Sequence, residues 1–125
     1  MNSLAHWLRR SLQIGFPCYL LLIAVLCLHP KEETVPVGFH DKILHATAYG
    51  VGALIAMNGF VERRSTILIL LFIWGVLMEI GQRFAPGRSF EYADMLANGI
   101  GIALGIGLFC ACRQLSSRRL AHQNI

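Results

Sequence analysis

Charged residues are scarce in this sequence, and their scarcity limits the kind of protein it can encode. Only 14% of the 125 residues are Asp, Glu, Lys or Arg, whereas 55% are apolar. A soluble domain carries about 25% charged residues. The chain therefore has too little polar surface to cover a soluble globule of this size, and we expect a membrane protein.

The sequence also lacks the motifs of common metal, phosphate and redox sites. Its four cysteines form no Cys-x-x-Cys pair and all fall within apolar stretches, so neither a zinc site nor a disulfide framework is expected. A glycine-rich phosphate loop, His-Glu-x-x-His and Ser-x-x-Lys are absent as well. We predict no metal and no cofactor. Basic residues flank the apolar stretches and form no patch for nucleic acid, so no nucleic-acid partner is predicted.

Four apolar stretches are present, at residues 12–28, 43–60, 66–80 and 93–112. A helix needs about 20 residues to cross the bilayer. We predict an all-α, polytopic membrane protein: a four-transmembrane-helix bundle with helices at about 12–28, 42–60, 66–84 and 92–112, in a single domain spanning residues 1–125. No small-residue cleavage site follows the first stretch, so we expect a retained helix. Pro17 predicts a kink or late start for that helix, and the polar tail after Arg113 is expected to fray.

The basic residues also predict the orientation of the bundle. Seven lie on one side of the predicted membrane: Arg9, Arg10, Arg63, Arg64, Arg113, Arg118 and Arg119. The other side has four, diluted by acids that include Glu32 and Glu33 in a polar loop at residues 31–40. Because cytoplasmic segments carry the excess of Lys and Arg, both termini are predicted to be cytoplasmic.

Polar side chains collect at the predicted outer end of three helices. Glu79 is the most unusual, since it follows a long apolar run and an ionisable group at membrane depth is costly unless a partner meets it. Asp41, His45 and Tyr49 share one face of the second helix. The predicted ligand-binding residues are Asp41, Lys42, His45, Tyr49, Glu79, Gln82, Arg88, Asp94 and Asn98.

Each of these residues also has a purely structural interpretation. Asp41 could cap a helix, and His45 could bond a backbone carbonyl. Glu79 could pair with Arg83 or Lys42 at the interface. Each hydrogen bond between membrane helices contributes little to the stability of the bundle. A purely structural network would therefore gain little stability from so many polar groups.

Small residues follow one stripe of the fourth helix. Ala97, Gly101 and Gly105 form a small-xxx-small series, which lets transmembrane helices approach closely. Tight packing inside the bundle is the simpler interpretation. A homo-oligomer through the Gly101/Gly105 face is the alternative.

At these residues the chain resembles the VanZ-like family. The ordered pattern is Asp-Lys-x-x-His-x-x-x-Tyr from Asp41, Glu-x-x-Gln from Glu79, Pro-x-Arg ending at Arg88, and Asp-x-x-x-Asn-x-x-Gly from Asp94. The resemblance implies a multi-pass protein of the bacterial cytoplasmic (inner) membrane. It also implies a link to susceptibility to the glycopeptide teicoplanin, which gives the family its association with antibiotic resistance in the cell envelope.

Three functions are compatible with the sequence. The first is binding of membrane lipids or a lipid-linked cell-wall precursor through an anionic headgroup, with Lys42, Arg83 and Arg88 as cationic donors. The second is an intramembrane enzyme with His45, Glu79 and Asp41 as candidate catalytic residues, although no nucleophile stands out. The third is a structural or assembly subunit. We predict binding, with enzymatic activity left uncertain.

Overall fold

The fold, seen in a computed structural model that describes residues 3–31 and 38–123, is built from four helices. They are α1 (Ser3–Leu28), α2 (Phe39–Gly59), α3 (Arg64–Gln82) and α4 (Tyr92–Gln123). No strand occurs among the described residues, so the all-α prediction is confirmed. Residues 32–37 of the predicted first outer loop, including Glu32 and Glu33, lie outside the described residues.

Three of the four helices, α1, α3 and α4, are long and apolar enough to cross a membrane. The remaining helix, α2, has its charged residues and its histidines in its first half and contacts each of the other three. It contributes buried small residues, including Gly52, Ala53 and Ala56, where its neighbours approach. Protein therefore covers much of α2. The count of four membrane spans and the cytoplasmic termini stay predictions.

The surface of the helices is apolar, as expected for contact with acyl chains. Leu21, Ile69, Leu77 and Leu104 are among many large aliphatic side chains that point outwards and stay exposed. Soluble monomers rarely present contiguous apolar patches of this extent. The buried positions instead include charged and amide groups. Apolar side chains on the outside, with polar side chains buried at one end, indicate a membrane protein.

Helix α1 begins at Ser3, nine residues before the predicted start, and it continues through Pro17. Two side chains hold its first turns against the end of α2. Arg9 Nε and Gln13 Nε2 both donate to the Gly59 carbonyl, at 3.1 and 2.7 Å. Those bonds satisfy a carbonyl that the end of α2 leaves without a helical partner. The late start was wrong, because the turns before Pro17 are helical and bonded to the end of α2. A kink at Pro17 stays a prediction.

Helix α4 continues to Gln123, so the predicted frayed tail after Arg113 was also wrong. The residues beyond Cys112 include Arg, Gln and Leu, which are good helix formers. Ser116 and Ser117 donate back to the Cys112 and Arg113 carbonyls, one turn earlier. The extension is exposed from Arg113 to His122 and projects from the bundle.

Helices α2 and α4 pack backbone to backbone along the glycine stripe. A Cβ added to Gly105 would lie 2.5 Å from the Gly50 carbonyl oxygen, and one added to Gly101 would overlap the Ala46 carbonyl. Tight packing inside the bundle therefore accounts for both glycines. The predicted homo-oligomer stays untested.

Candidate functional site

The end of α1, the start of α2, the end of α3 and the start of α4 meet at one end of the bundle. The structure brings all nine predicted ligand-binding residues to this end. Six of them are buried: His45, Tyr49, Glu79, Gln82, Asp94 and Asn98. Two further residues, Lys31 and Glu91, contact them. We call these eleven residues the outer cluster, after the predicted orientation of the chain.

His45 lies at the centre of the outer cluster and is oriented by Asn98. Its Nδ1 atom lies 3.0 Å from Asn98 Oδ1. Because an amide oxygen can only accept, Nδ1 carries a proton, and in the neutral ring Nε2 then carries the lone pair. Nε2 faces Asp94 Oδ2 at 3.8 Å, and Nδ1 is 3.7 Å from Glu79 Oε1. Both distances exceed a hydrogen bond.

The two innermost carboxylates are incompletely satisfied. Glu79 Oε2 accepts the Glu91 backbone N–H at 3.4 Å, while Glu79 Oε1 and Asp94 Oδ1 have no hydrogen-bond partner among the described residues. The Tyr49 hydroxyl and the Asn98 Nδ2 group lie in the same region and are also unpartnered there. Native interiors leave few polar atoms in this state. The concentration of them around His45 distinguishes this region from the rest of the described bundle.

Lysine ammonium groups form the mouth of the outer cluster. Lys31 Nζ donates to Asp41 Oδ1 at 2.7 Å, and Lys42 Nζ donates to Glu91 Oε2 at 2.9 Å. Lys42 Nζ also lies 3.6 Å from Asp94 Oδ1. Asp41 precedes the apolar part of α2. Burial raises the pKa of its carboxyl, but the Lys31 ammonium and the Arg88 guanidinium bring the pKa below its ordinary value, which keeps Asp41 ionised.

Gln82 and Arg88 hold the end of α1. Gln82 Nε2 donates to the Cys27 carbonyl at 3.1 Å. Arg88 donates through Nη2 to Leu26 and through Nε to His29, at 2.9 and 3.1 Å. The last carbonyls of a helix have no helical donor, so these side chains complete the end of α1. The Nε2 group of Gln82 and the Nε and Nη2 groups of Arg88 are therefore engaged within the chain.

The loop between α3 and α4 is fixed to the chain that follows α1. Lys31 N donates to the Pro86 carbonyl at 3.2 Å. The next residue, Gly87, has φ of +69°, a conformation that side chains disfavour, and a Cβ there would overlap the Lys31 carbonyl. This contact places Arg88 beneath α1 and Glu91 beside Lys42.

Sequence reasoning missed two members of the outer cluster and misplaced one residue. Lys31 directly follows the His29-Pro30 end of α1, and Glu91 precedes Asp94 by one helical turn, which were the available signals. Arg83, predicted as a cationic donor, is exposed at the end of α3 and makes no ion pair with a described residue. The predicted partners of Glu79, Arg83 or Lys42, are replaced by His45 and the Glu91 backbone.

The cavity within the outer cluster is small. Its volume is about 10 Å³, and Asp41, Asp94, Arg88 and Ser89 contribute to its lining. That is about the space one water molecule needs. In this conformation the site can enclose a water or a bare ion, whereas a larger molecule must bind at the mouth.

Comparison with known protein families supports the resemblance that the pattern of polar residues indicates. A protein-family model described as VanZ/LLP1 matches residues 22–113, which is more than half of the chain and includes the outer cluster. No curated protein and no solved structure gave a significant match. With this match and its three long apolar helices, the chain is a membrane protein that belongs to the VanZ/LLP1 family.

Proposed function

We propose that this chain is a multi-pass protein of the bacterial cytoplasmic membrane that binds an anionic headgroup at the mouth of the outer cluster. The headgroup belongs to a membrane lipid or a lipid-linked cell-wall precursor. A link to glycopeptide susceptibility is part of the same proposal, because it follows from the family resemblance and from a cell-wall ligand together.

The order of charges from the mouth inwards supports this proposal. Lys31 and Lys42 have side chains 29% and 31% exposed, whereas Glu79 and Asp94 beneath them are 0% and 2% exposed. A headgroup that arrives from water meets ammonium groups before buried carboxylates. A phosphate can share the Lys42 ammonium with Glu91, since each ammonium carries three donors.

The small cavity restricts how the headgroup binds. About 10 Å³ admits one oxygen-sized group and not a whole phosphate. The phosphate therefore rests against Lys31 and Lys42, and the acyl or prenyl chains lie along the apolar helix surface. Arg88 contributes mainly by holding the end of α1, where its Nε and Nη2 groups are bonded to backbone carbonyls.

Lys42→Gln and Arg83→Gln form a matched pair that tests this proposal. Each removes one positive charge at the same end of the bundle, but only Lys42 belongs to the outer cluster. We expect purified protein in nanodiscs to prefer phosphatidylglycerol or a polyprenyl pyrophosphate over phosphatidylcholine. Lys42→Gln should weaken that binding about tenfold, the value of one charge-assisted hydrogen bond, and Arg83→Gln should change it little.

Equal effects of the two substitutions would mean general charge attraction and would contradict a specific site. Absence of any preference for the anionic lipids would reject the proposal outright. The glycopeptide link is tested separately by growth in teicoplanin with and without expression of the chain. No difference in growth would remove that part of the proposal.

An intramembrane enzyme is a second candidate, favoured by the orientation of His45. Asn98 fixes the ring so that a lone pair on Nε2 faces Asp94, which is the arrangement of an oriented general base. Ser89 lines the cavity and has the one hydroxyl side chain among its lining residues. Release of phosphate or a cleaved headgroup by wild-type protein and not by His45→Gln would support this function over simple binding.

A structural role is the third candidate, because the outer cluster joins all four helices. It predicts that loss of headgroup binding or of phenotype follows loss of thermal stability from one variant to the next. Melting temperatures in detergent of Lys42→Gln and Arg83→Gln test whether the role is purely structural. Weaker binding at an unchanged melting temperature would exclude a purely structural role.

A further inference from the structure

Three side chains that commonly bind metals converge inside the outer cluster. Asp41 and His45 lie one turn apart on α2, and Asp94 lies in the first turn of α4. One donor atom from each lies within 4.8 Å of the other two. Donors that bond to one Zn²⁺ at about 2.0–2.2 Å lie up to about 4 Å apart. Small side-chain shifts would therefore let all three share one cation.

The orientation of His45 suits metal binding. Metal-bound histidines almost always donate their other ring N–H to an oxygen. Here Nδ1 donates to Asn98 Oδ1, so the lone pair of Nε2 faces Asp94 Oδ2 at 3.8 Å. Both atoms are electron-pair donors, and they are too far apart for a direct hydrogen bond. A cation between them would bond to both.

Unmet acceptors point to the same place. Asp94 is 2% exposed, and its Oδ1 has no hydrogen-bond partner among the described residues. Asp41 Oδ2 lies 4.0 Å from Arg88, outside hydrogen-bond distance, while Oδ1 of the same carboxylate is held by Lys31. The cavity of about 10 Å³ is lined by both aspartates and matches a single ion or water in size.

The charges of the outer cluster also favour a cation. Three cationic side chains, Lys31, Lys42 and Arg88, are combined with four acidic ones, Asp41, Glu79, Glu91 and Asp94. With His45 neutral the sum is negative. Two of the acids are fully or almost fully buried, and buried charge needs a partner or a metal.

We propose that Asp41, His45 and Asp94 bind one divalent cation. One imidazole with two carboxylates suits Zn²⁺ or Mn²⁺ better than Mg²⁺ or Ca²⁺, which prefer oxygen ligands alone. The sequence predicts no metal because it lacks the motifs of common metal sites. This proposal differs from that prediction, because the fold brings two aspartates from two helices to His45.

Three protein ligands leave at least one position open. The open position faces the mouth, where it would take a phosphate oxygen of the headgroup. This further step rests on the proposed function. The cation would turn the net charge of the outer cluster positive and so provide the attraction for an anion that the buried acids oppose.

The experiment uses full-length protein in detergent, stripped with a chelator and titrated with Zn²⁺ or Mn²⁺ alone. We expect one equivalent per chain and a higher melting temperature with the metal, because a ligand that binds the folded state stabilises it. His45→Gln and Asp94→Asn should abolish binding. Asn98→Ala, which removes the partner of His45 Nδ1 and none of the three ligands, should weaken it about 10- to 100-fold.

His40→Gln and Glu62→Gln are the matched controls. His40 is an exposed histidine on the same helix, and Glu62 is an exposed acid outside the outer cluster. Both variants should keep the metal. If His45→Gln or Asp94→Asn fails to fold, Asp41→Asn, at the less buried ligand, replaces it.

Absence of saturable binding by wild-type protein would overturn the proposal. So would binding that survives the ligand substitutions but is lost in His40→Gln, since that result would place the metal on a surface histidine. The headgroup proposal is measured independently, because phosphatidylglycerol binding is assayed with and without chelator. Metal binding without lipid binding, or the reverse, separates the failure of one proposal from the failure of the other.

Discussion

At the scale of single residues, Gln82 has a defined structural contact. Its side chain is 1% exposed, and its amide nitrogen donates to the Cys27 carbonyl in the last turn of α1. A ligand would have to compete with that bond. Gln82 was predicted to bind a ligand from its position beside Glu79, but its contact assigns it first to the end of α1.

Replacing Gln82 by methionine should lower stability with little change in volume. The Cys27 carbonyl then loses its donor, and an unmet buried acceptor costs about 1–3 kcal/mol. Thermal unfolding in detergent measures the change. Gln114→Met, on the exposed extension of α4, is the control and should have almost no effect. Equal melting temperatures for wild type and Gln82→Met would show that the bond contributes nothing.

A second prediction at this scale concerns Lys42 and depends on where its ammonium group lies in the outer cluster. Its ammonium group bonds Glu91 at the mouth and lies 3.6 Å from the buried Asp94. Removing the ammonium group takes a nearby positive charge away from the Asp94 carboxylate and leaves Arg83 unchanged. A difference in headgroup binding between Lys42→Gln and Arg83→Gln therefore reports the effect of where the charge lies, because both substitutions change the total charge equally.

At the scale of helices, the close contact of α2 and α4 determines the geometry of the outer cluster. Asp41 and His45 come from α2, and Asp94 and Asn98 come from α4. The two helices can approach only because glycines at the contact have no side chain. A change in helix spacing would separate His45 from its partners on α4.

Gly101→Ala should therefore lower both stability and ligand binding. The added methyl group overlaps the Ala46 carbonyl, so the helices must move apart. Gly107→Ala is the matched control on the same helix, since no atom lies within 4 Å of the position. That control should be neutral or should stabilise by up to about 1 kcal/mol through helix propensity. Equal behaviour of the two variants in thermal unfolding and metal binding would contradict the packing described here.

At the scale of the whole molecule, opposite ends of the bundle have different chemistry. The end opposite the outer cluster is basic: Arg9 and Arg64 donate to the last carbonyls of α2, and Arg64 also lies over the Phe109 ring. These arginines thus cap a helix in addition to their predicted role in orientation. The asymmetry agrees with a cytoplasmic basic end.

The orientation can be tested with impermeant thiol reagents on intact cells. Gly38→Cys, beside the outer cluster, should be labelled from outside in a background with the four native cysteines replaced by serine. Ser117→Cys, on the extension of α4, should react only after the cells are opened. The reverse pattern would invert the predicted topology and place the outer cluster in the cytoplasm.

The sequence by itself determined the helical class, the membrane character and the identity of most polar residues in the site. Low charge and long apolar stretches leave few alternatives, and helical spacing alone puts Asp41, His45 and Tyr49 on one face. The helix ends were less predictable. Both α1 and α4 extend beyond their apolar parts. Composition does not reveal side-chain bonds such as that from Arg9 to Gly59, so it could not predict this extension.

Only the tertiary structure decided which groups meet. Residues 53 positions apart, His45 and Asn98, form the bond that directs Nε2 towards Asp94, and no local pattern indicates that direction. The structure also assigned Arg88 to the end of α1 and brought Lys31 to Asp41. The physical reason is that distances of a few ångströms between helices depend on backbone packing at Gly101 and Gly105. That packing sets which lone pairs face one another, whereas sequence spacing sets only the face on which they lie.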